Sequence, residues 1–155
     1  MATYKKKIII AVAIILVLLG GFLALRLSSW NQTYGLSEDI IAGETEPTAE
    51  ETIRLYFYYS NRCSHDAANQ LLTKECNRAF SDHAWWQDLK LVKISEPEKS
   101  ARAEGVYQAV DIEVEYNERG VWASLKENRD TGYFNAVVVR ENENTPWRIQ
   151  SMGEC

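Results

Sequence analysis

Three sets of residues in this chain are of types that do chemistry. They are the cysteines Cys63, Cys76 and Cys155, the histidines His65 and His83, and the acidic row Asp111, Glu113 and Glu115. In an oxidising compartment the cysteines would form a disulfide. Cys63–Cys76 is the preferred pair, with either bridge to Cys155 left open. If residues 64–76 formed one unbroken helix, Cys63 and Cys76 would stand about 18–20 Å apart, far past bridging distance. That bridge therefore requires the helix to end or turn before Cys76.

The same region offers four zinc-type ligands, Cys63, His65, Cys76 and His83. Their spacing fits neither the usual paired cysteines nor the paired histidines of zinc sites, so no metal is expected. His65 adjoins Asp66, and His83 adjoins Asp82. Neighbours on a helix point about 100° apart, so neither pair is a ready His–Asp dyad. Each reads as a solvated residue at a helix start, where the acid complements the helix dipole. The acidic row lies along one strand, its carboxylates about 6–7 Å apart in a line. Calcium would need six or more oxygens converging from several segments. A solvated outer face is the favoured reading. Were that face turned inward, a general base would become conceivable, but burying three adjacent carboxylates is costly. Trp85 and Trp86, with Tyr56, are the candidate lining of a pocket. No nucleophile elbow, phosphate-binding glycine loop, zinc-protease motif or dinucleotide fingerprint occurs. No catalytic residue and no cofactor is assigned.

The elements that must position these residues begin with a hydrophobic run. Ile8 to Leu25 is uncharged, with Lys5, Lys6 and Lys7 before it and Arg26 after it. At 1.5 Å per residue a helix of that length reaches about 27 Å, close to the bilayer core. Tyr4, Trp30 and Tyr34 stand outside its ends, where amphipathic rings suit the interface. The lysines place the N-terminus in the cytoplasm and the rest outside, as a single-pass membrane protein. A cleaved signal peptide is the alternative, but Ala24-Leu25-Arg26-Leu27-Ser28-Ser29 has no good A-x-A site. Formal charge is −5 overall. Beyond Arg26 there are 13 basic and 22 acidic residues, a net −9. So acidic a body repels phosphate backbones, so nucleic acid is excluded as a partner.

Residues 1–29 thus read as a cytoplasmic stub and anchor, 30–47 as a flexible linker, and 48–155 as the outer domain. Thr48 and Glu51 form a capping box, and Ala49, Ile53, Tyr56 and Phe57 share one face of a helix ending near Asn61. A second helix starts after Ser64 as N-cap, with Ala67, Ala68, Leu71, Leu72 and Cys76 as its stripe. A third is expected over Asp82 to Asp88, capped by Ser81. The period then changes to two. Leu89 to Ile94 gives a mixed pattern. From Val106 to Tyr116, the residues Val106, Gln108, Val110, Ile112, Val114 and Tyr116 share the buried face, while Tyr107, Ala109, Asp111, Glu113 and Glu115 make the wet face. Tyr133–Arg140 and Trp147–Met152 form a closing hairpin around Glu141–Pro146. Trp122 and Leu125 pin the longer connection before it. The class is α+β: an N-terminal transmembrane helix, then about three helices packed on a mainly antiparallel sheet of about four strands.

The opening helix with Ile53-Arg54-Leu55-Tyr56-Phe57, the Leu71-Leu72 helix, and the ending Ala136-Val137-Val138-Val139-Arg140-Glu141-Asn142 then Trp147-Arg148-Ile149-Gln150-Ser151-Met152-Gly153 resemble the nuclear transport factor 2-like superfamily. The likeness is greatest to uncharacterised membrane-anchored extracytoplasmic domains of Gram-positive bacteria. It implies a cone in which a curved sheet wraps against helices. It also implies a non-catalytic binding or assembly module acting by protein contact or on a small ligand. The alternative is a small isomerase or dehydratase on the same cone, because fold alone does not settle function.

Overall fold

The computed structural model describes residues 10–21, 33–80, 89–102, 105–118 and 131–153. Outside them lie the expected Asp82–Asp88 helix with Ser81, His83, Trp85 and Trp86, and also Trp122, Leu125 and Cys155. The chain divides into two compact units, Met1–Gln32 and Thr33–Cys155.

In the first unit, residues 10–21 form helix α1, and every residue of it is exposed. Ile10, Val12, Ile14, Ile15, Leu16, Val17, Leu18 and Leu19 all stand at 50–73% exposure. The helix is apolar all round and has no wet face to set against a buried one. Among the described residues no helix is long and apolar enough to cross a membrane. The run read as an anchor extends beyond them, through residues 8–9 and 22–25.

The second unit is α+β. Its helices are α2 (Glu38–Ala42), α3 (Ala49–Asn61), α4 (His65–Gln70) and α5 (Lys74–Phe80). Its strands are β1 (Leu89–Ile94), β2 (Glu98–Lys99), β3 (Gln108–Glu118), β4 (Thr131–Arg140) and β5 (Arg148–Met152). They pair in the order β1-β3-β4-β5, with β2 also on β3, and every pairing is antiparallel.

Helix α3 starts where its capping box places it. The Thr48 amide donates to Glu51 Oε2 at 2.8 Å, and the Glu51 amide donates to Thr48 Oγ1 at 3.3 Å. Two orphan N–H groups are thereby satisfied. Thr48→Ala should lower the unfolding free energy of the 33–155 unit by about 1 kcal/mol. Urea unfolding checks this, and an unchanged midpoint would show that the cap contributes nothing.

The residues read as a flexible linker are in fact structured from Thr33 onward. Ser37 caps α2, its Oγ accepting from the Ile40 amide at 3.4 Å. Gly43, at φ 76°, ends the helix in the left-handed region that glycine adopts without steric cost. Leu36 and Ile40 are buried against Leu55 of α3. So α3 is covered on two sides: Ala49, Ile53, Tyr56 and Phe57 meet the sheet core, while Leu55 meets this strap. A five-residue helix is too short to display a period in sequence, which is why the strap read as a stalk.

The second expected helix is also corrected. It stops at Gln70, and Leu71 to Thr73 turns to bond the outer strand. The Ile149 amide donates to Leu71 O at 2.8 Å, and the Thr73 amide to Ile149 O at 2.9 Å. These bonds cover the free edge of β5 in parallel fashion at Leu72–Ile149. Ser64 makes no side-chain cap. Thr73 Oγ1 accepts from the Cys76 amide at 3.3 Å instead, opening α5. Ala68, Leu72 and Cys76 still reach the core, as the stripe required.

Two bulges explain the irregular strand patterns. In β1, Leu91 pairs with Tyr116 and Lys93 with Glu115, leaving Val92 extra and 46% exposed. The added residue lets Leu91 and Ile94, three apart, pack on the same core. A second shift lies between Val137 and Val138, opposite Ser151 and Ile149, and it lets Ile149 and Met152 both face inward. The two-residue strand β2, Glu98 opposite Asp111, was not expected.

Candidate functional surface

The interior between α3 and the sheet is the place where a cone would hold a ligand. Here it contains the protein's own rings. Phe57, 1% exposed, stacks on Phe134 with centroids 6.4 Å apart and planes at 16°. Tyr56 meets Phe57 edge-on at 6.2 Å, Tyr34 lies 6.5 Å from Phe57, and Tyr116 lies 5.6 Å from Phe134. Offset and edge-to-face pairs at these distances are attractive beyond their area burial. Tyr56, expected to line a pocket, is therefore a core residue. Trp85 and Trp86 lie outside the described residues.

Asn61, buried at the end of α3, donates through Nδ2 to Tyr34 Oη at 2.7 Å and to Phe57 O at 2.9 Å. The buried polar side chains among the described residues are Thr52, Ser60, Asn61, Ser100 and Ser151, with no Asp, Glu, His, Lys or Arg among them. Among the described residues, the buried atoms Ser151 Oγ and Asn117 Oδ1 have no hydrogen-bond partner.

The acids stand on the other face of the sheet. On β3, Ile112 and Val114 are wholly buried toward the helices, so Asp111, Glu113 and Glu115 point away from them. Glu113 is exposed, and Asp111 and Glu115 are half-buried. Cross-strand neighbours of Glu115 are Lys93 and Tyr133, and Tyr133 is 61% exposed. Asp111 Oδ1 accepts from Ser100 Oγ at 3.0 Å. Ser95 Oγ accepts from the Glu113 amide at 2.9 Å. This face is not uniformly wet, contrary to the alternation read from sequence. Ala109, Val137 and Val139 are buried there in a small cluster packed by Val106. The missed signal was Val137 and Val139, which stand opposite Asp111 and Ala109 in the register.

Cysteine and histidine chemistry is dispersed. Cys63 follows α3 at φ 56° and is exposed, whereas Cys76 is 1% exposed inside the core, and the two share no disulfide. The helix does end before Cys76, as a bridge would need, but that turn serves β5. His65 is exposed at the start of α4. Among the described residues no three His, Cys, Asp or Glu side chains gather as a metal set.

A second group of side chains ties the strap down. Arg54 donates to Tyr34 O at 2.9 Å and pairs with Glu50 Oε1 at 2.5 Å. Tyr59 Oη donates to Ile41 O at 3.2 Å. Burial, with the neighbouring Tyr58 adding to it, raises the Tyr59 phenol above its ordinary pKa. Arg140 joins Glu46 at 3.0 Å and also donates to Thr145 O at 2.7 Å, locking the strap to the β4–β5 hairpin. Arg148 donates to Gln70 O beside it.

No curated protein and no solved structure matches the chain. Residues 50–153, from the first turn of α3 to the end of β5, match the model of a domain of unknown function. That stretch holds Tyr56, Phe57, Tyr116 and Phe134 of the aromatic interior and both faces of the sheet, and the chain belongs to this family, DUF4829.

Proposed function

We propose that this protein is a binding or assembly module held on the outer side of a cell membrane by its N-terminal helix. It acts through protein contact and catalyses nothing. The observation that carries the reading is the interior, where Tyr34, Tyr56, Phe57, Tyr116 and Phe134 pack ring against ring. The carboxylates that could serve as a general base stand on the sheet face turned away from the described helices instead. An enzyme of the isomerase or dehydratase type needs a buried ionisable group beside a cavity.

The membrane part rests on Ile8–Leu25, on the lysines before it, and on a helix over residues 10–21 with apolar side chains exposed all round. Such a helix is stable in hydrocarbon and costly in water. The order of helices then antiparallel strands supports a nuclear transport factor 2-like cone, and this fold is part of the proposal.

Membrane fractionation and in-cell crosslinking test the two halves separately. The full chain should stay in the pellet at alkaline pH, and a variant lacking residues 8–25 should leave it. A photo-crosslinking residue at Glu113 or Tyr133 should give one discrete protein adduct that the same probe at Glu143, on the hairpin loop, does not give. A full chain released at alkaline pH would overturn the anchor. Identical diffuse labelling at all three positions would overturn protein contact through the sheet face that carries Glu113 and Tyr133.

A further inference from the structure

No further inference is drawn: the strongest candidate, the patch on the sheet face turned away from the described helices where Tyr133 stands exposed opposite Glu115, belongs to the surface already described, and nothing in the structure shows what covers it.

Discussion

Replacing Phe57 with alanine should remove about 3–5 kcal/mol from the stability of the 33–155 unit, the usual cost of deleting a fully buried aromatic ring. The ring is 1% exposed and touches three others, Tyr34, Tyr56 and Phe134. Deleting it loses the transfer energy and leaves a cavity that rigid neighbours cannot close. Total stabilities of such domains are about 5–15 kcal/mol, so the variant should sit near its unfolding threshold. Urea titration of the wild type and Phe57→Ala reads this directly. Tyr133→Ala, at an exposed position on the sheet face turned away from the described helices, should stay within about 0.5 kcal/mol of wild type. A Phe57→Ala loss below about 1 kcal/mol would mean the interior is open rather than filled, and the enzyme reading would return.

The second large effect is expected at Gly132. It pairs across the sheet with Tyr116, whose ring lies over it. A Cβ built at Gly132 would overlap the ring of Tyr116. The glycine is thus required for a close approach, with the tyrosine covering the place where its own side chain would stand. Gly132→Ala should cost about 1–3 kcal/mol, as overpacking does. Tyr116 cannot swing away freely, because its ring packs on Phe134. In a Tyr116→Ala background the same glycine substitution should cost little or nothing. That non-additivity, measured as a double-mutant cycle by urea unfolding, separates ring overlap from a backbone effect. Equal costs in both backgrounds would refute the ring contact.

Much of the second unit was legible because its signals are local and strong. Thr48 and Glu51 set the start of α3 by a capping box that needs no tertiary context. The strand from Gln108 to Glu118 declared its buried face by strict alternation at Val110, Ile112 and Val114. Elements that tertiary contacts decide were not legible in this way. Nothing local in Ala68 to Cys76 announces that Leu71–Thr73 will leave the helix to cover β5. The bulge at Val92 scrambled an otherwise alternating strand. Leu36 and Ile40 were too few to reveal a helix whose stability comes from Leu55. Of the candidate site, the acidic row was placed on the correct face, because burying three carboxylates would have been costly. Tyr56 lies in the core cluster, and a periodic stripe shows that a side chain is buried without showing whether the space beside it is filled.

Placement matters most to the account, since a contact module works only where its partner is. Cys63 provides a probe, being exposed on the second unit while Cys76 is buried. In a full-length Cys155→Ser chain, intact cells would be treated with a membrane-impermeant maleimide, with and without an impermeant phosphine reductant. Cys63 should be labelled before the cells are broken, with or without the reductant. Labelling that appears only after lysis would put the domain on the cytoplasmic side and contradict the outer placement.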